Sequence, residues 1–140
     1  MNSSDTKAVN HITHIGIAVK NIEESLPFYM MCLGLKLTQM ETIDSQSIRV
    51  AFLKVGEAYL ELIEPITTTS TVAEFINKRG EGLHHIALAV DDIQQRVDLL
   101  KQKGIQAIDE EIQIGADGQQ IAFLHPSVAN GVLFELCQEK

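Results

Sequence analysis

The chain has no tryptophan and only two tyrosines and five phenylalanines among its 140 residues, so its core must be built largely from aliphatic side chains. Cysteine is as scarce. Cys32 and Cys137 are the two present, without a Cys-x-x-Cys spacing, which excludes a thiolate metal cluster or a disulfide scaffold. One falls in an apolar helical stretch and the other in an expected strand, so both read as buried, reduced thiols. Basic residues are outnumbered: 11 Lys and Arg face 19 Asp and Glu, a net charge of −8, which offers no basic face to nucleic-acid phosphates. An anionic ligand must therefore rely on local cations. No apolar run approaches the roughly 20 residues of a bilayer span, and the polar start MNSSDTKAVN shows no Arg-rich or apolar targeting pattern. A cytoplasmic protein without a membrane partner is expected. Neither a dinucleotide-binding glycine fingerprint nor a P-loop is present.

What the sequence does contain is a repeat. His14-Ile-Gly-Ile-Ala-Val-Lys-Asn-Ile22 is answered by His85-Ile-Ala-Leu-Ala-Val-Asp-Asp-Ile93, Gly34-Leu35 by Gly104-Ile105, and Glu61-Leu62 by Glu135-Leu136. Each half thus carries one His near its start and one Glu near its end. The halves are too small to bury much surface alone, so they should share one core and form a single domain over 1–140. Module one covers about 11–66, a connecting helix about 70–80, and module two about 82–138.

Within each module the apolar pattern changes period in the same order. Residues 12–19 alternate, with Ile15, Ile17 and Val19 on one face and His14, Gly16 and Ala18 on the other. In the second copy Ile86, Leu88 and Val90 form the bulky face, and His85, Ala87 and Ala89 the small one. Packing the branched face on a helix would leave the histidine face free to line a cavity. Asp92 with Gln95 reads as a capping box for a helix carrying Ile93, Val97 and Leu100, which Gly104 ends. The first copy has helical spacing before Gly34, but Pro27 would break an interior turn, so its regular helix is expected to start near Ser25. Strands are expected at about 35–43, 48–55 and 58–64, and again at about 106–113, 119–125 and 131–137. Thr71 with Glu74 caps the connecting helix, which Gly80 ends. The fold class is α+β, a βαβββ unit used twice.

Glu61 and Glu135 stand on otherwise apolar strand faces, where an ionised carboxylate is costly unless it is paired. A metal ion held with two nearby histidines removes that cost. The repeat therefore nominates His14, Glu61, His85 and Glu135 as ligands of one divalent first-row ion with one or two positions left open. Co, Mn, Ni, Fe and Zn all suit two imidazoles and two carboxylates. His84 points with the bulky face and, like His11, reads as structural or surface; His125 reads as a loop residue. Lys54, Lys78 and Arg79 read as solvated charge, and Gly115–Gly118 as a loop on the substrate side.

The strings H-I-G-I-A-V at 14–19, V-A-F-L at 50–53, Y-L-E-L-I-E-P at 59–65, R-G-E-G-L-H-H-I at 79–86, A-F-L-H-P at 122–126 and G-V-L-F-E-L at 131–136 resemble the vicinal oxygen chelate superfamily, which includes the glyoxalase and bleomycin resistance proteins. Within it they are most similar to the methylmalonyl-CoA epimerases. The resemblance implies paired βαβββ modules forming a cupped mixed sheet around a metal held by His14, Glu61, His85 and Glu135, and usually a homodimer. It implies an isomerase that inverts C2 of methylmalonyl-CoA, an acyl-CoA substrate, through a metal-stabilised enolate. Inversion needs an acid/base group on each face of that enolate, and Glu61 and Glu135 come from opposite modules. In some epimerases of the family a Gln stands at the position of Glu61 and a separate carboxylate at that of Val50; here Val50 cannot act, which leaves the two paired glutamates as the bases. The same fold and a similar ligand set also serve glyoxalase I (lactoylglutathione lyase), and the fold without metal serves drug-binding modules.

Overall fold

In the computed structural model, which describes residues 7–139, both copies of the repeat fold as a strand, a helix and three further strands. The first copy comprises β1 (Ile12–Ala18), α1 (Ile22–Pro27), β2 (Lys36–Ile43), β3 (Ile48–Val55) and β4 (Ala58–Pro65). The connecting helix is α2 (Thr71–Arg79). The second copy comprises β5 (Gly82–Ala89), α3 (Ile93–Gln102), β6 (Gln113–Ile114), β7 (Gln120–Leu124) and β8 (Phe134–Gln138). All eight strands form one mixed sheet in the order β2-β3-β4-β1-β5-β8-β7-β6. The order reads the same from either end once each strand is replaced by its repeat partner. The two opening strands β1 and β5 meet antiparallel at the centre, and each runs parallel to the closing strand of its own module, β4 or β8.

The sheet is curled into a half-barrel. Its convex side carries the branched residues: Ile17 packs with Ile22, Leu26, Leu53 and Leu62 beneath α1, and Leu88 with Ile93, Val97, Leu100 and Leu136 beneath α3. The concave side is closed at one end by α2, whose Val72 packs on Ala18, Val50, Phe52 and Ile63. The outer ends of the sheet approach each other where the backbone N–H of Asp117, in the turn Ala116–Gly118, donates to Glu41 of β2 at 2.8 Å. Among the described residues no helix is long and apolar enough to cross a membrane.

Four expectations change. The first helix starts at Ile22, capped by Asn21 accepting from Glu24 N–H, and Pro27 does not delay it. The chain instead widens into a π turn over Phe28–Cys32 directly after Pro27, with Leu33 N–H reaching the Phe28 carbonyl. Cys32 on that turn is exposed, whereas Cys137 is buried. The cap of α2 is Ser70, which accepts from Ala73 N–H, one residue before Thr71. The strand expected at 106–113 shrinks to β6 and a single bridge between Ala107 and Leu124. Asp109, Glu110 and Glu111 put three like charges in succession on a sheet edge, where charge and short length both oppose further pairing.

Candidate metal centre

The pairing of β1 with β5 shifts register twice, and these shifts build the site. Thr13 is an extra residue in β1 between the pairs Ile12–Leu88 and His14–Ala87. His84 is its counterpart in β5, between Gly16–His85 and Ile17–Leu83. Each bulge breaks the strict alternation of faces immediately before a histidine. The sequence pattern turns His84 outward with the bulky residues; the bulge brings it into the cavity wall beside His85. Glu61 pairs beside Gly16, and Glu135 beside Ala87, so each carboxylate sits next to a small residue of the neighbouring strand.

His14, Glu61, His85 and Glu135 are all buried and line one cavity, and three of them converge there. Nε2 of His14 lies 3.0 Å from Nε2 of His85 and 2.9 Å from Oε1 of Glu135, and the third side of this triangle, His85 to Glu135, is 3.4 Å. Ligands at about 2.0–2.1 Å from one ion and at right angles would be spaced about 3 Å apart. Oε1 of Glu135 is buried, yet its contacts lie at angles that leave it without a hydrogen bond. Three converging donors, one of them an orphaned carboxylate oxygen, are what a cation satisfies. Glu61 occupies the other edge of the same imidazole, its Oε2 3.1 Å from Nδ1 of His14. His14, Glu135 and Cys137 also lie close enough to share an ion, but burial pushes the Cys137 thiol well above its ordinary value, so the protonated sulfur is the poorer donor.

The two carboxyl groups are driven apart electrostatically. Burial pushes Glu61 up to about 7; His14 opposes this, while repulsion from Glu135 and Glu41 adds to it. Burial acts on Glu135 in the same sense, but the adjoining His14 and His85 outweigh it and hold that carboxylate down to about 2. Burial disfavours charge on His14, yet Glu135 and Glu61 raise its pKa overall. Burial, and then repulsion from His85, lower His84 to about 4. The four paired residues and His84 line a cavity of about 590 Å³ on the concave face. Ile43, Ile48, Val50 and Ile63 form an apolar wall, and no Lys or Arg lines it among the described residues. Lys54 and Arg79 instead lie over the rings of Tyr59 and Phe75. His11 pairs at the surface with Glu139, and His125 accepts from Ser127 N–H, so both stay outside this cavity as expected. Gly115 and Ala116, from the expected substrate-side loop, do line the cavity.

The family model of the glyoxalase/bleomycin resistance protein/dioxygenase superfamily matches residues 13–123. The chain belongs to this superfamily. Its relatives within the superfamily include an uncharacterised Bacillus subtilis protein, YqjC, 43% identical over 132 residues and covering 94% of both chains. The mitochondrial methylmalonyl-CoA epimerase of Homo sapiens is 36% identical over 131 residues, 93% of this chain and 74% of the human protein. Among solved structures, a Streptomyces coelicolor methylmalonyl-CoA epimerase variant in complex with 2-nitronate-propionyl-CoA superposes with a TM-score of 0.90 at 34% identity, over 94% of this chain and 96% of that one.

Within the superfamily fold three further residues shape the site, and sequence reading passed over their part in it. A Cβ on Gly16 would fall 2.2 Å from Cε1 of His85, so the ring lies over bare backbone. Thr13 Oγ1 lies 3.0 Å from Nδ1 of His14, and Nδ1 of His84 lies 2.9 Å from Nδ1 of His85. The signal for the last was the tandem His84-His85 itself. Two neighbours on one strand can share a cavity only through a bulge.

Proposed function

We propose that this protein is an epimerase-like isomerase acting on methylmalonyl-CoA, with one divalent metal ion bound by His14, Glu61, His85 and Glu135. The convergence of His14, His85 and Glu135 around an unsatisfied carboxylate oxygen carries this reading. The charge balance of the cavity supports it. A substrate bearing a carboxylate meets no cationic side chain in the described lining, so an ion at the triangle is the counter-charge. When bound, such an ion (Co, Mn, Ni, Fe or Zn) supplies positive charge beside the thioester and carboxylate oxygens and lowers the cost of forming an enolate.

The chain's own residues supply the proton transfers. Glu61 and Glu135 stand at opposite edges of the His14 ring, on strands from opposite modules, and their pKa values are far apart. Paired carboxyl groups with divergent pKa values suit acid and base roles. In one direction Glu135 takes the C2 proton, the C–H electron pair passes into the enolate, and protonated Glu61 returns a proton to C2 from the other face. The configuration is inverted, and the proton now sits on Glu135. The reverse reaction starts from that state, with Glu61 as the base. Val50, buried in the wall, contributes shape and no proton.

The test is exchange of the C2 hydrogen of methylmalonyl-CoA with solvent deuterium, followed before and after chelation, beside isomerisation of the methylglyoxal–glutathione adduct. Exchange that is lost on chelation and restored by Co or Mn is the expected result. Efficient turnover of the glutathione adduct with methylmalonyl-CoA untouched would replace the epimerase by a glyoxalase. The same reading takes the protein as a homodimer, supported by Phe28, Met31 and Leu33, three large apolar side chains exposed on one turn. Sedimentation of the purified chain reads that directly.

A further inference from the structure

The two register shifts of the central strand pair fall on repeat-related residues, Thr13 and His84, each immediately before one of the paired histidines. Both touch the same atom of the histidine that follows. Thr13 Oγ1 is 3.0 Å from Nδ1 of His14, and its hydroxyl also lies 3.4 Å from the Ala87 carbonyl oxygen. Donation of that hydroxyl to Ala87 leaves the oxygen lone pairs to accept an N–H from His14, a proton shared with Glu61 Oε2, which lies 3.1 Å from the same Nδ1. Nδ1 of His84 is 2.9 Å from Nδ1 of His85. One of these two nitrogens carries the proton and the other accepts it. The Nε2 atoms of His14 and His85 converge 3.0 Å apart beside Glu135, where a ligand needs a free lone pair, so the proton of each ring belongs on Nδ1.

We propose that Thr13 and His84 are positioning residues of the metal centre, the bulged residue of each module accepting Nδ1–H from the histidine after it and turning Nε2 towards the ion. This rests on the metal reading above and adds residues that the ligand set does not include. Packing fixes the His84 ring in that position, edge-on to Phe75 at 4.9 Å on one side and to His85 at 5.1 Å on the other. The bulge itself then has a purpose. Without it, the residue before each histidine would face the convex side and could not reach Nδ1. The two modules use different chemistry for the same contact, a hydroxyl in one and an imidazole in the other, so each can be tested by a substitution specific to it.

The test uses the full chain, stripped with chelator and titrated with cobalt(II), reading both the dissociation constant by competition and the visible absorption of the bound ion. His84→Phe keeps a ring against Phe75 but removes the acceptor; His84→Asn places an acceptor oxygen near the lost Nδ1. His84→Phe is expected to weaken cobalt binding about 10- to 100-fold and change the absorption bands, with His84→Asn restoring most of the affinity. Thr13→Val and Thr13→Ser should behave as the matching pair for His14. Wild-type affinity and spectrum in His84→Phe would overturn the proposal. So would an equal loss in His84→Asn and His84→Phe, which would make His84 a ligand or a packing residue. If the wild-type chain binds no cobalt, the metal reading fails and takes this inference with it; if it binds and the variants match it, only the positioning role fails.

Discussion

A methyl group on Gly16 would land 2.2 Å from Cε1 of His85, far inside contact distance, and it would meet a ring hemmed in by Phe123 and His84. Gly16→Ala is therefore expected to push His85 off the triangle, lowering metal affinity by more than about tenfold and stability by about 1–3 kcal/mol. Ala87, its repeat partner, already carries that methyl opposite His14, so the two halves are not interchangeable. Metal titration and thermal unfolding of Gly16→Ala check both effects. Glu61 permits a test by pH in the metal-free protein. Its folded pKa of about 7 lies above the ordinary 4.5, so its contribution to stability is fully present below about pH 4.5 and is lost as pH rises through about 7. Gln cannot ionise. Metal-free Glu61→Gln should gain on wild type above about pH 7, by on the order of 3 kcal/mol, with the gap closing towards pH 4.5. Denaturant unfolding of chelator-treated protein at about pH 5 and pH 8 measures it, and equal differences at the two pH values would refute the assignment.

Helix ends decide how far the elements could be read in advance. Asp92 caps α3 where the capping pattern put it, accepting from Gln95 N–H, because nothing nearby competes for that role. At α2 the stretch Thr67–Thr71 offers five consecutive hydroxyl-bearing residues, and sequence alone cannot rank neighbours with the same chemistry. Tertiary packing chose Ser70, which is buried. Ser70→Ala should cost about 1 kcal/mol in thermal or denaturant unfolding, and Thr71→Ala should cost little. The opposite ranking would return the cap to Thr71. The strand alternation located β1, β5 and all four paired site residues because a period of two leaves little choice of face. It misplaced His84 because a bulge depends on how two distant strands pair, information absent from either strand by itself. The expected strand at 106–113 failed for a related reason: it lies at the edge, where one pairing partner and three adjacent acids decide the outcome.

At the scale of the whole molecule, the proposed site is a joint between modules. His14 and Glu61 come from the first and His85 and Glu135 from the second, and the strands that carry the two histidines form the seam of the sheet. An ion held there ties the halves together and binds only when both are folded. Binding to the folded state alone adds stability that grows with ligand concentration, about 2.7 kcal/mol at a hundredfold excess over the dissociation constant. For a chain of this length that corresponds to a rise in Tm of roughly 8 to 11 °C. Scanning calorimetry of chelator-treated protein with and without cobalt should show one transition that moves upward as a unit, because one continuous sheet runs through both modules. His14→Ala and His85→Ala, on opposite sides of the seam, should each abolish the shift, whereas His11→Ala at the surface should keep it. A shift that survives in both seam variants would place the ion elsewhere. Two transitions, only one of them moved by cobalt, would mean that the halves unfold independently and that the ion is held within one module.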